Sequence, residues 1–113
     1  MVMMGHVTLN RVDPGVPASM SFPIVTGLLR EELGFRDGVV ITDAMEMDAL
    51  AELEPGAAAV MAVEAGCDLI LAPADPDAAA ATILERIPEA RLDESVKRIL
   101  TLKMKWGLLD IPS

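Results

Sequence analysis

The stretch Gly38-Val39-Val40-Ile41-Thr42-Asp43-Ala44-Met45-Glu46-Met47 decides the fold. Its β-branched run from Val39 to Ile41 predicts a short strand, and the unbroken apolar character is typical of a strand covered on both faces in a parallel sheet. The run ends close to a carboxylate, Asp43. Because a buried charge is costly unless it is paired or solvated, we expect Asp43 at the carboxyl ends of the strands, where α/β proteins place ligands.

The rest of the chain alternates short apolar runs with helical patterns. The predicted elements are a first strand at 2–7, a helix at 21–34 capped by Ser21, a second strand at 39–42, a helix at 57–65, a third strand at 68–72, a helix at 75–87 and a last helix at 93–107. The order β-α-β-α-β-α-α predicts an α/β fold with a parallel sheet and right-handed crossovers. Three strands leave the sheet edges unpaired, so residues 1–113 are predicted to be one partial domain or a protein that pairs with another copy.

The amino-acid composition excludes several classes of protein. The 113 residues are 52% hydrophobic but 3% aromatic, which predicts a core of aliphatic side chains and methionine, and the formal net charge of −9 argues against nucleic acid as a partner. Glu64 and Asp68 interrupt the longest apolar region, so no membrane span is expected. The single cysteine, Cys67, excludes an internal disulfide, and no signal peptide is visible. These features favour a reducing compartment, and we expect a cytoplasmic location.

Three side chains are candidates for a site. Asp43 follows a strand, and spacing alone favours a helix cap over a nucleophilic carboxylate. His6, the one histidine, lies near the end of the first predicted strand, where it is either a ligand contact or, by default, a packed side chain. Met47, like Met45, is a candidate for lining a pocket, and a core role is at least as well supported. His6 and Met47 are nevertheless kept as candidates for substrate binding beside Asp43, because each lies close to the end of a predicted strand.

Other polar residues are assigned structural roles. Asp68 begins the third predicted strand, so it is expected at the end of the sheet opposite Asp43, and Asp75 is expected to cap a helix. Cys67 has no basic cluster nearby in sequence and is predicted to be buried and inert. The chain has no phosphate-binding loop, no Gly-x-Gly-x-x-Gly and no metal-spaced cluster, so neither a cofactor nor a metal is expected.

Several segments together resemble glycoside hydrolase family 3, most closely the bacterial β-N-acetylglucosaminidases. They are Val-Met-Met-Gly-His-Val (2–7), Asp13 with Pro-Ala-Ser-Met-Ser (17–21), Leu-Leu-Arg-Glu-Glu-Leu-Gly-Phe (28–35), the stretch at 38–47, Ala-Gly-Cys-Asp-Leu-Ile-Leu (65–71) and Ser-Val-Lys-Arg-Ile-Leu-Thr-Leu-Lys (95–103). The resemblance covers nearly the whole chain, and the segments at 28–35 and 42–47 are its most specific part.

The resemblance implies a partial (β/α)8 TIM-type barrel in which the three strands are the sixth, seventh and eighth. It implies that Asp43 is the nucleophile of a retaining mechanism acting on a carbohydrate substrate, either terminal β-N-acetylglucosamine or a related β-glucoside. In the similar enzymes a histidine and an aspartate on a Lys-His-Phe-Pro-Gly-His-Gly-like loop provide the general acid/base. No segment here matches that loop, and His6 does not correspond to it.

Two consequences follow for the isolated chain. We expect little or no glycosidase activity, because general acid–base help contributes about 10²–10⁴-fold, and we expect association with the N-terminal part of a barrel or with a second copy. The alternative from a different class is a non-catalytic α/β module that dimerises or binds a partner through open sheet edges. An aldolase-type barrel would require a lysine at a strand end, and none of the three predicted strands ends in one.

Overall fold

A computed structural model describes residues 1–45, 56–71, 73 and 75–107. The elements, in chain order, are β1 (Val2–Met4), a 3-10 helix (Ala18–Met20), a π-helix (Pro23–Glu32), β2 (Val40–Thr42), α1 (Ala57–Ala65), α2 (Pro76–Arg86) and α3 (Glu89–Lys105). The helices predicted at 21–34, 57–65, 75–87 and 93–107 have counterparts, and the strands predicted at 2–7 and 39–42 form over shorter ranges. The described residues of the strand predicted at 68–72 do not form a strand.

Strands β1 and β2 pair in parallel, with Val2 opposite Val40 and Met4 opposite Thr42. The π-helix lies in the crossover between them. Because the two strands run in the same direction, their last residues, Met4 and Thr42, lie at the same end of the sheet. This end is called the carboxyl end of the sheet below.

The third predicted strand, 68–72, is shorter than expected. The structure shows a single parallel bridge between Ile41 and Leu69, with the Thr42 amide donating to the Leu69 carbonyl at 3.0 Å. Beyond it the Leu71 amide donates to the Thr42 hydroxyl instead of a strand carbonyl, and Pro73 has no amide hydrogen to donate. The described residues therefore form two strands and one extended segment beside β2.

Helix boundaries follow local signals in most places. Asp75 caps α2, since its Oδ1 accepts a hydrogen bond from the Ala78 amide at 3.1 Å, and α1 ends at Gly66. The predicted start of α3 at Asp93 is wrong: the helix begins at Glu89. The Pro88 carbonyl accepts from the amides three and four residues on, so the proline initiates the helix and no cap at Asp93 is needed.

The helix after Ser21 differs from the expected α-helix. Ser21 Oγ accepts from the Ile24 amide at 3.3 Å, as predicted for a cap, but the helix then widens to π-type bonding. At its end the Leu33 amide donates to the Leu28 carbonyl, five residues back. Arg30, on this helix, is 4% exposed, so a charged side chain enters the interior.

The core lies between the sheet, the π-helix and α1. Its buried members include Val25, Val40, Met45, Ala62 and Cys67, and the alanines of α1 allow close approach of the helix. A smaller cluster joins Val60 and Val63 of α1 to Ile87, the residue that follows α2. In the part of the chain that the structure describes, every helix is too short or too polar to cross a bilayer.

Candidate active site

Asp43 lies at the carboxyl end of the sheet, directly after β2. Its amide donates to the Met4 carbonyl at 2.9 Å, which fixes its backbone against the end of β1. One carboxylate oxygen, Oδ1, accepts from the Ala44 amide at 2.8 Å. The side chain is half-buried, and among the described residues Oδ2 has no hydrogen-bond partner. The backbone and one carboxylate oxygen of Asp43 are thus held in place.

His6 lies beside Asp43 at the same end of the sheet. Its Nε2 is 3.0 Å from the Ala44 carbonyl oxygen, and its Nδ1 is 2.5 Å from Ser19 Oγ. Because a carbonyl can only accept, Nε2 carries the hydrogen, and in the neutral ring Nδ1 then accepts from the Ser19 hydroxyl. Both ring nitrogens are engaged within the protein, which is the packed role that sequence reasoning takes as the default for this histidine.

The Ala44 peptide connects these two side chains. Its N–H donates to Asp43 Oδ1 and its carbonyl accepts from His6 Nε2. Ser19, which is fully buried, orients the imidazole from the other side. Sequence reasoning missed the contributions of Ala44 and Ser19, because a peptide group and a hydroxyl 25 residues apart leave no periodic signal.

The loop that leads to Ser19 is itself held by a polar contact. Ser21 Oγ donates to Asp13 Oδ2 at 2.6 Å, and the Ala18 and Ser19 amides donate to the carbonyls of Val7 and Gly5. The loop is therefore fastened to the chain that follows β1. The hydroxyl groups of Ser19 and Ser21 thus support the candidate site, Ser19 through His6 and Ser21 through Asp13.

The two methionines considered for a pocket have different outcomes. Met45 is 6% exposed, and its amide donates to the Leu71 carbonyl at 2.9 Å, so it belongs to the core. Met47, the predicted substrate contact, lies outside the described residues.

Asp68 lies at the opposite end of the sheet, as the sequence predicts. Its carboxylate accepts from the Val40 amide at 3.0 Å, at the start of β2. It pairs with Arg30 at 2.7 Å and Arg98 at 3.1 Å and accepts from Ser95 Oγ at 2.7 Å, while its own side chain is completely buried. A buried carboxylate with this many donors is a structural ion-pair centre and offers no atom to a ligand.

Cys67 and Arg91 lie beside Asp68, at the end of the sheet opposite Asp43. Burial, with a smaller contribution from the Asp68 charge, raises the pKa of the Cys67 thiol to about 12, so the thiol stays protonated near neutral pH. Burial also lowers the pKa of Arg91, whose guanidinium donates to the Val63 and Cys67 carbonyls. These contacts agree with the prediction of an inert cysteine.

Over residues 1–45, 56–71, 73 and 75–107, no three His, Cys, Asp or Glu side chains come together as metal ligands would. Asp43 presents a carboxylate at the carboxyl end of a parallel sheet. It is suited to nucleophilic or acid–base chemistry.

Comparison with known proteins decides the family. Residues 1–102 match the glycosyl hydrolase family 3 N-terminal domain. The chain belongs to this family. Family 3 relatives include a lysosomal beta glucosidase of Dictyostelium discoideum (37% identical, 96% of this chain, 14% of the relative) and a beta-N-acetylglucosaminidase/beta-glucosidase of Cellulomonas fimi (35% identical, 95% of this chain, 22% of the relative). The chain thus spans under a quarter of these relatives.

Solved family 3 structures agree with this assignment. The beta-N-acetylglucosaminidase of Paenibacillus sp. str. FPU-7 superposes with a TM-score of 0.88 at 42% identity, over 99% of this chain and 23% of that one. The beta-N-acetylhexosaminidase of Beutenbergia cavernae gives 0.78 at 36% identity, over 91% of this chain and 33% of that one. The resemblance stated from sequence is confirmed, and so is the α/β class.

Proposed function

We propose that this chain carries the nucleophile half of a retaining β-glycosidase site, with Asp43 as the nucleophile. The observation that carries the proposal is the placement of Asp43: it follows β2 at the carboxyl end of the sheet, half-buried, with Oδ1 bonded to the Ala44 amide. Asp68, the buried carboxylate at the other end, is wholly engaged. Membership of family 3 supports the reaction class.

The chemistry requires one oxygen of Asp43 to reach an anomeric carbon. Oδ2 donates an electron pair to that carbon, the glycosidic oxygen leaves with the bonding pair, and a glycosyl ester forms. Water then attacks the same carbon, the bond to Oδ2 breaks with its electron pair returning to the carboxylate, and the proton that the water loses balances the one that the leaving oxygen takes up. The Ala44 N–H fixes the rotation of the carboxylate through Oδ1, so the second oxygen keeps a constant direction.

Protonation of the leaving oxygen needs a second group. The one histidine in the sequence, His6, has both ring nitrogens bonded within the protein, and we assign it a positioning role. We therefore propose that the isolated chain glycosylates Asp43 mainly from substrates with good leaving groups. Lack of a general acid lowers turnover of poor leaving groups by about 10²–10⁴-fold.

For the architecture, we infer that β1, β2 and the extended segment at Leu69 are consecutive parallel strands of a (β/α)8-type barrel. The TM-score of 0.88 over 99% of this chain supports this inference. The substrate class we propose is a terminal β-N-acetylglucosaminide, with β-glucosides as the related alternative, since both activities are named among the relatives.

The test uses two reagents whose anomeric fluoride leaves without an acid. They are 2-deoxy-2-fluoroglucosyl fluoride for the gluco series and 5-fluoro-N-acetylglucosaminyl fluoride, which keeps the 2-acetamido group, for the N-acetylglucosamine series. We expect slow covalent labelling, seen as a mass increase on the peptide that contains Asp43. D43N should abolish it, and D37N, which neutralises an exposed aspartate at the other end of the sheet, should leave it unchanged.

Two results would contradict the proposal. An adduct on another residue, or equal labelling of D43N, would exclude Asp43 as the nucleophile. Rapid turnover of an unactivated alkyl N-acetylglucosaminide by the isolated chain would show that an acid is present, and would overturn the claim of low intrinsic activity while leaving Asp43 in place.

A further inference from the structure

Helix α3 has two faces of different character. Its inner face donates to the body of the protein: Arg91 and Ser95 contact the segment at Cys67 and Asp68, and Arg98 bonds both Asp68 and the Arg36 carbonyl. Its outer face carries Val96, Leu100 and Met104, which are 51%, 39% and 46% exposed. Their spacing of four residues places them in one line along the helix.

Charged residues continue that line at both ends. Glu89 and Asp93 lie seven and three positions before Val96, and Lys103 lies three positions after Leu100; all three are exposed. These spacings put them on the same face as the apolar side chains. The outer face therefore reads acidic, apolar and basic from the N-terminus to the C-terminus of α3.

This order is complementary to itself when reversed. We propose that the outer face of α3 is the contact surface for a second copy of this chain, formed by antiparallel pairing of the two α3 helices. With a two-fold axis at the level of residue 98, Val96 of each copy lies opposite Leu100 of the other. The same operation places Lys103 of each copy near Glu89 and Asp93 of the other.

Distances along the helix agree with this pairing. At about 1.5 Å per residue, Asp93 and Lys103 lie about 7.5 Å on either side of residue 98, so reversal brings them to the same level. A parallel arrangement would instead place Asp93 beside Asp93 and Lys103 beside Lys103, which like-charge repulsion disfavours. The charges thus select the antiparallel orientation, and the apolar centre supplies the contact.

The expected affinity is modest. One pair of 17-residue helices buries less than the roughly 1,200–2,000 Å² of a standard stable interface, so we expect a dissociation constant of about 10–100 μM. Sedimentation equilibrium of the full chain from about 5 to 500 μM covers this range. A reversible monomer–dimer equilibrium is expected, and a monomer throughout would overturn the proposal.

Substitutions locate the surface. Leu100→Glu introduces a carboxylate opposite Val96 and should raise the dissociation constant at least about tenfold. Leu84→Glu makes the same change on α2, where the side chain is 75% exposed, and should have no effect. Circular dichroism confirms that both variants are folded. Equal weakening by the two variants would mean that general surface charge, and not this face, controls association.

A charge exchange tests the orientation without touching the apolar centre. Lys103→Glu faces Glu89 and Asp93 of the second copy and should weaken the dimer about fivefold at low salt. Adding Asp93→Lys should restore most of the affinity, because the new pair has the opposite signs. Lys105→Glu, with the same change in net charge on another face of the helix, serves as the control. Failure of the double variant to recover would exclude the antiparallel arrangement.

Discussion

The two ends of the short parallel sheet hold aspartates in opposite conditions. Asp68, at the amino end, is completely buried and paired with Arg30 and Arg98, with further bonds from Ser95 and the Val40 amide. Asp43, at the carboxyl end, is half-buried and its side chain accepts one hydrogen bond among the described residues. The same residue type is thus a structural ion-pair centre where several cationic and polar groups bond it, and a candidate nucleophile where the described residues give it a single hydrogen bond.

The contrast also separates what each end contributes. At the amino end, polar contacts join the π-helix, β2, the extended segment and α3 into one unit. At the carboxyl end, the contacts of His6 and Ser19 fix a single peptide group, that of Ala44. Stability should therefore depend on the amino end and reactivity on the carboxyl end, and four predictions test this division.

The largest effect is expected at Asp68. Asp68→Ala leaves the Arg30 guanidinium, whose side chain is 5% exposed, buried without its carboxylate, and we expect a loss of about 3–5 kcal/mol in the free energy of unfolding by urea. Asp75→Ala, which removes an exposed helix cap, is the matched control and should cost about 1 kcal/mol. If the two variants lost similar stability, the ion-pair centre would not organise the fold.

Cys67, at the same closed end, should resist thiol reagents. With its pKa at about 12 instead of the ordinary 9.0, the thiolate at pH 8 is about a thousandfold scarcer than in the unfolded chain, so labelling by an aromatic disulfide should be correspondingly slow. Urea-unfolded protein is the control. Between about pH 9 and 12 the unfolded chain releases a proton that the folded chain keeps, so stability should fall as pH rises through this window. Fast labelling of the native protein would show that this end is open.

A smaller effect is expected at His6. His6→Ala leaves the buried Ser19 hydroxyl and the Ala44 carbonyl without their partner, which should cost about 1–3 kcal/mol in the free energy of unfolding. Because the Ala44 peptide also bonds Asp43, labelling of Asp43 by the fluoroglycoside should slow as well. Val7→Ala, at an adjacent exposed position, is the control. Lost stability with unchanged labelling of Asp43 would remove His6 from the site.

The smallest effect on stability is expected at Asp43 itself. In Asp43→Asn the side-chain carbonyl still accepts from the Ala44 amide, so the free energy of unfolding should change by less than about 0.5 kcal/mol while covalent labelling is lost. Urea unfolding and mass spectrometry of the same preparation measure both quantities. A large loss of stability would mean that Asp43, like Asp68, is primarily structural.

Local signals predicted most of the secondary structure. The β-branched run before Asp43, the Asp75-Pro76 cap and the glycine after α1 each act within a few residues, and the structure places β2, α2 and the end of α1 accordingly. The start of α3 was misplaced because a proline carbonyl, which has no side-chain signature, begins the helix. The strand predicted at 68–72 does not pair along its length with β2, because the Leu71 amide donates to the Thr42 hydroxyl and not to a strand carbonyl. Hydrophobic periodicity carries no information about such a bond.

Polar contacts between residues far apart in the chain could not be predicted from the sequence. Arg30 meets Asp68 across 38 residues, and His6 meets the Ala44 carbonyl across the same separation. Nothing in the local pattern around Arg30 marks it as buried, since the helix that carries it reads as amphipathic with this arginine on the polar side. The resemblance to family 3 identified the candidate nucleophile, whereas only the structure showed which groups hold it.

Arg30 binds the turn after the π-helix entirely through main-chain oxygens. Its guanidinium donates to the carbonyls of Phe35, Arg36 and Gly38, in addition to that of Gly66. Every amino acid has the same backbone carbonyl, so the shape of this turn does not depend on which side chains occupy positions 36 and 37. Those two positions are therefore suitable attachment points for a spectroscopic label or an affinity tag, while lysine in place of Arg30, with a single ammonium in place of a planar fork, could not hold the turn.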